Sequence, residues 1–142
     1  MAARGSKCEC GGKYIRRLYR HVQNVGAATV TDGSAFARQC EECGQALLSM
    51  RQIANYERRA AAVALRDGTK VSGAMVKFAR KALGMTQEEL GAALACRGET
   101  VSRWEHDHEA TTRTSQLAIV ALLEHNGPEA EVLVTTRRAR TA

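Results

Sequence analysis

Polar and apolar positions change rhythm near Leu48. Residues 8–47 are short on helix signals. Lys13–Val22, Ala27–Thr31 and Phe36–Gln39 read as short strands, with Asn24, Gly26, Asp32 and Gly33 marking turns between them. From Leu48 to Arg66 the residues are good helix formers, and Ile53, Tyr56, Ala60, Val63 and Ala64 recur near helical spacing. Asp67-Gly68 breaks that helix and forms a plausible linker. Val71 to His125 then reads as a run of short helices. Residues 1–7 look like a disordered lead-in, and residues 127–142 carry Pro128, the apolar Val132, Leu133 and Val134, and a frayed basic end.

Within the helical run each element has a recognisable face. Val71, Met75, Phe78, Ala79 and Ala82 make an apolar face, with Lys77, Arg80 and Lys81 on the opposite one, either a solvated face or one turned toward phosphates. Thr86 caps the next helix, and Glu89 three residues later completes a capping box. Leu90, Ala93 and Leu94 face the core. Gly91 costs about 1 kcal/mol against alanine mid-helix, so a third element is expected to cross close to it. Ala95-Cys96-Arg97-Gly98 is a turn, with Cys96 buried and inert. Glu99–His106 is a third helix with Val101 and Trp104 inward and Glu99, Thr100 and Arg103 outward. Leu117, Val120, Ala121 and Leu123 belong to a closing helix.

These elements predict an α+β fold. A small zinc-ribbon-like β domain with a linking helix, 1–67, precedes an all-α bundle with a C-terminal tail, 68–142. The 142 residues suffice for one domain or two small ones, and with only 4% aromatics neither half builds much core from large rings. A metal would answer that shortage in the N-terminal half.

The net charge of +6 favours a polyanionic partner, though it lies unevenly. Residues 1–67 hold eleven Lys/Arg and six Asp/Glu, whereas residues 68–126 hold seven of each. Five cysteines, an odd number, argue against a pure disulfide framework. No leader or transmembrane run is expected, and the expected compartment is reducing cytosol, where cysteine pairs more often mean metal than disulfide.

Four of those cysteines form two close pairs, Cys8/Cys10 and Cys40/Cys43, and can supply four thiolates to one tetrahedral zinc. Cys40-Glu41-Glu42-Cys43-Gly44 makes a good knuckle, in which the glycine takes the tight conformation and amides face the sulfurs. Cys8-Glu9-Cys10 is tighter, with one residue between ligands. Three other readings stay open: His21 replacing one cysteine, a redox dithiol at Cys40/Cys43, or free structural thiols. Four thiolates leave no position for water, so the zinc is expected to be structural, one per chain. No acid–base pair, nucleophile constellation or phosphate loop stands out, and no enzymatic activity is expected.

Met85-Thr86-Gln87-Glu88-Glu89-Leu90 and Thr100-Val101-Ser102-Arg103-Trp104-Glu105 resemble the core pattern of the Cro-type, xenobiotic-response-element-like helix-turn-helix family over residues 71–125. Ala95 stands where that family usually has a turn glycine, and Asp107 where a glycine usually ends the third helix. The resemblance implies double-stranded DNA as partner, with Gln87, Glu99, Thr100, Ser102 and Arg103 at contact positions. Arg103 is suited to the O6 and N7 atoms of guanine. With the cysteine pairs 29 residues apart, the combined architecture resembles the MqsA-type antitoxin family. That resemblance implies a homodimeric repressor of its own promoter whose zinc domain holds a ribonuclease toxin. A zinc-containing regulator without a toxin, or a protein-interaction module that no longer reads DNA, is the alternative.

Overall fold

The structure, a computed structural model, describes residues 7–68 and 70–125. The expectations for residues 1–6 and 127–142, including Val132, Leu133 and Val134, lie outside the described residues. The fold is α+β. Strands β1 (Tyr14–Val25), β2 (Ala28–Cys40) and β3 (Ala46–Leu47) precede helices α1 (Met50–Asp67), α2 (Gly73–Ala82), α3 (Gln87–Ala93), α4 (Gly98–Glu105) and α5 (Arg113–His125). The sheet is antiparallel in the order β1-β2-β3.

The strands are longer than expected. Asp32 and Gly33 do not turn the chain; they lie inside β2. Their local turn preference is overridden by a long-range ion pair, since Asp32 is buried and its carboxylate meets Arg59 of α1 at 2.8 Å. The ladder absorbs the misfit as a bulge: Tyr19 pairs with Ala35, but His21 pairs with Asp32.

Ser49 caps α1 through the amide of Gln52, whose side chain returns to the Ser49 amide. The helix therefore starts at Met50 rather than Leu48. Its buried residues, Tyr56, Ala60, Ala61, Ala62, Ala64 and Leu65, are mostly small. One continuous core joins Val25 of β1 and the α1 alanines to Val76, Leu90, Val101, Trp104, Ile119 and Leu123. Residues before and after 67/68 contribute to that core, those of α1 among them. Arg113 of α5 fastens the end of α1 by donating to the carbonyl oxygens of Leu65 and Arg66 at 2.8 and 2.5 Å. A cation on the last carbonyls of a helix satisfies orphan acceptors and suits the helix dipole. Among the described residues, no helix is long and apolar enough to cross a membrane.

Candidate metal centre and candidate nucleic-acid interface

Two knuckles meet at the end of the sheet remote from the β1–β2 turn. In the first, the Gly11 amide donates to the Cys8 carbonyl and the Cys8 amide to the Gly12 carbonyl, both at 2.8 Å. In the second, the Gly44 amide donates to the Cys40 carbonyl at 3.0 Å, and Gly44 takes φ +78°. The Glu41 amide donates to the Lys13 carbonyl at 3.1 Å and ties one knuckle to the other.

The four sulfurs of Cys8, Cys10, Cys40 and Cys43 all lie within 4.8 Å of one another. The Cys8–Cys43 and Cys10–Cys40 separations are 3.6 and 3.5 Å. A tetrahedral zinc with Zn–S near 2.3 Å has ligand edges of about 3.8 Å, so the cluster has the right size. Gly12 makes room for it: a Cβ there would stand 2.6 Å from Cys40 Sγ. That glycine lets a one-residue spacing serve as a knuckle, a requirement not read from the cysteine pattern alone.

The electrostatics of the cluster also suit a cation. The Cys8 thiol is pulled down to about 6, first by the Tyr14 hydroxyl and then by the Cys10 amide. Cys10 is pushed up to about 12: the Gly12 amide lowers it, but the Cys40, Cys43 and Cys8 sulfurs outweigh that. Tyr14 rises to about 12 because it donates to Cys8. A dication would remove this mutual opposition and allow four thiolates.

His21 is not placed to replace a cysteine. Its ring stacks on Tyr56 with centroids 4.5 Å apart, and Nε2 lies 3.1 Å from Gln23 Oε1. Cys96 is half-buried against the core, where burial raises its thiol above the ordinary value.

Helices α3 and α4 meet at a tight turn. Thr86 and Glu89 form the expected capping box. Gly91 is fully enclosed: a Cβ would stand 2.8 Å from Arg97 C and Cys96 O, so the element crossing it is the turn into α4. Ala95 and Asp107 both hold positive φ, 58° and 57°. Val101 and Trp104 are buried, whereas Glu99 and Arg103 are exposed and Thr100 and Ser102 half-buried. Among the described residues no ion pair joins Arg103 to Glu99.

Two side chains behave differently from the sequence reading. Arg80 does not share the solvated face of Lys77 and Lys81. Its Nε and Nη2 donate to the two oxygens of Glu105 at 2.6 and 3.1 Å, and its Nη1 donates to the Met85 carbonyl at 2.9 Å. Gln87, expected to reach outward, donates to Glu105 Oε1 at 3.2 Å. Glu105 thus joins α2, α3 and α4. Its partners lie 18 and 25 positions away, so no local pattern reveals the role. Asp107, which stands where a glycine is usual, has a role of its own: its carboxylate accepts the Gly73 amide. Aspartate's tolerance of the left-handed region was the available signal.

No protein-family model matches the chain, and no curated protein matches it either.

Proposed function

We propose that this protein is a DNA-binding transcriptional repressor that acts as a homodimer and carries one structural zinc per chain. The observation that carries the reading is the α3–turn–α4 unit. Buried Val101 and Trp104 fix α4 from within while Glu99, Thr100 and Arg103 line its accessible side. This supports a helix-turn-helix in which α4 enters the major groove and Arg103 meets a guanine. The role of Gln87 shifts: its bond to Glu105 makes it first a positioning residue for α4. The four-sulfur cluster supports zinc on Cys8, Cys10, Cys40 and Cys43, which would hold the knuckles and the hairpin without taking part in a reaction. The homodimer follows from half-site logic, since one such unit reads one half of a palindrome.

The resemblance to MqsA-type antitoxins adds a ribonuclease toxin as partner and repression of the shared promoter. A second reading, an interaction module without DNA recognition, draws on the neutral balance of residues 68–126 and on the inward turn of Gln87.

Titration of the full chain against its own upstream DNA and a scrambled duplex, at one salt concentration, separates the two. The repressor reading expects a clear preference for the native sequence. Equal binding to both duplexes, or none to either, rejects it in favour of the interaction module. A ribonuclease-like reading frame beside this one is the expectation specific to the antitoxin.

A further inference from the structure

The hairpin has two unlike faces. One packs on α1 and buries Val25, Asp32 and Ala37. On the other, alternate residues Arg16, Leu18, Arg20 and Val22 of β1 are all exposed, Leu18 and Val22 at 57%. Phe36, the cross-strand partner of Leu18, is 45% exposed, and the Arg16 guanidinium lies 4.2 Å above its ring.

Arg16 stands directly opposite Arg38 across the ladder. Residues 13–40 hold five Lys/Arg and one acid, Asp32, which is buried and paired to Arg59. The helical part has no such surplus: residues 70–125 hold seven Lys/Arg and seven Asp/Glu, and the Arg80 and Glu105 charges already answer each other. Affinity for duplex DNA comes largely from cations that neutralise phosphates. In this chain the described cation excess lies on the hairpin, not on the helices expected to read bases.

We propose that the outer face of the β1–β2 hairpin is a second, sequence-independent DNA surface, on which Arg16 and Arg20 pair with backbone phosphates. Arg16 and Arg20 lie four residues apart on one strand, about 13 Å, enough to reach two separate phosphates. Between and beside these arginines, Leu18, Val22 and Phe36 offer apolar surface suited to the sugars of the backbone, which carry no sequence information. The proposal extends the DNA reading of the previous subsection, but it concerns a different surface.

The test is the salt dependence of binding of the full, zinc-loaded chain to a scrambled duplex, followed by fluorescence anisotropy. For Arg16→Ala/Arg20→Ala, the slope of log K against log salt should become shallower by about 1.8 per bound chain, two contacts at about 0.9 each, and so by about 3.6 for a bound dimer. The native-to-scrambled ratio should stay as in wild type. Arg16→Lys/Arg20→Lys should keep the wild-type slope, because a phosphate contact needs the charge. Arg16→Gln/Arg20→Gln should follow the alanine pair and serves if alanine disturbs the strand. An unchanged slope in both uncharged pairs overturns the proposal. So does a lysine pair as shallow as alanine, or no wild-type binding to scrambled DNA. Loss of binding to a partner ribonuclease with the DNA slope unchanged overturns it in favour of a protein-docking face. Absence of any sequence preference, with the arginine-dependent slope intact, defeats the repressor reading and leaves this one standing.

Discussion

The carboxylate of Asp107 accepts the backbone N–H of Gly73 at 2.7 Å and so ties the end of α4 to the start of α2. Asp107 does two things at once. It sits at φ 57°, where aspartate is tolerated better than most residues, and it places a negative charge on a helix N-terminus. Glycine would keep only the first property and alanine neither. Asp107→Gly should destabilise by about 1 kcal/mol, the scale of a lost cap. Asp107→Ala should lose about 2 kcal/mol, with the backbone strain added. Urea unfolding of both variants checks the order; equal losses would mean that the backbone conformation is immaterial.

A buried ion pair also joins α2 and α4. The Arg80 and Glu105 side chains are only 13% and 2% exposed. Removing one partner of such a pair costs about 3 kcal/mol or more, because the other charge is left desolvated. Arg80→Ala should show that loss at neutral pH. Burial acts to raise the Glu105 carboxyl, but its bonds from Arg80 and Gln87 outweigh this and hold it below 4.5, its ordinary value. A lowered folded-state value means stability that is present above 4.5 and lost as pH falls through the folded value. Wild type should therefore lose stability in that acid range. The penalty of Arg80→Ala should shrink there, since protonated Glu105 no longer needs the cation. Thermal melts of both proteins across that range test this; a penalty independent of pH counts against it.

The α3–α4 turn carries two opposite backbone demands. Gly91 has no room for a methyl group, so Gly91→Ala should destabilise by about 2 kcal/mol despite alanine's better helix propensity. Ala95 sits in the left-handed region at φ 58°, so Ala95→Gly should stabilise by about 1 kcal/mol. Denaturant midpoints measure both. Opposite signs are expected, and a destabilised Ala95→Gly would show that the strain has been misjudged.

What could be read from residues alone tracks the range of the interactions. The Thr86–Glu89 capping box and the inward pair Val101 and Trp104 depend on neighbours three residues away, and both stand as expected. The cysteine pairs were legible because metal-ligand chemistry is strict enough to survive a 29-residue gap. Asp32-Gly33 misled because the turn signal is local, whereas the Arg59 partner that keeps it in a strand lies on another element. Glu105 carried no role of its own in the sequence for the same reason, because its partners Arg80 and Gln87 lie on other elements. The cation surplus was visible as a count, but the placement of Arg16 and Arg20 together on one hairpin face required the strand itself.

Zinc content is a direct check on the cluster. The full chain should carry about one zinc, as a single four-ligand site demands. Cys40→Ser should remove most of it, because the buried Cys40 sulfur stands 3.5 Å from Cys10 Sγ within the cluster. Cys96→Ser should change nothing, since Cys96 packs against the helical core. Elemental analysis of the three proteins reads this out. A wild type without metal that nevertheless keeps its hairpin, judged by amide exchange, rejects the structural-zinc reading.

Arg103 and Gln87 should separate base reading from support. Arg103 is exposed on α4, on the side away from Val101 and Trp104, where a bidentate contact to guanine is within reach. Losing such a contact should cost about 1–3 kcal/mol per half-site and flatten the base preference there. Gln87 is half-buried, and its amide is engaged with Glu105 at 3.2 Å. Gln87→Ala should lower thermal stability and weaken binding to native and scrambled DNA alike, because it loosens the seat of α4 rather than removing a base contact. Binding isotherms for both variants on both duplexes, at fixed salt, give the four affinities required. Arg103→Ala with the full native-to-scrambled ratio would show that Arg103 reads no base. Gln87→Ala with wild-type stability and a collapsed ratio would put Gln87 in the groove and detach it from the Glu105 hub.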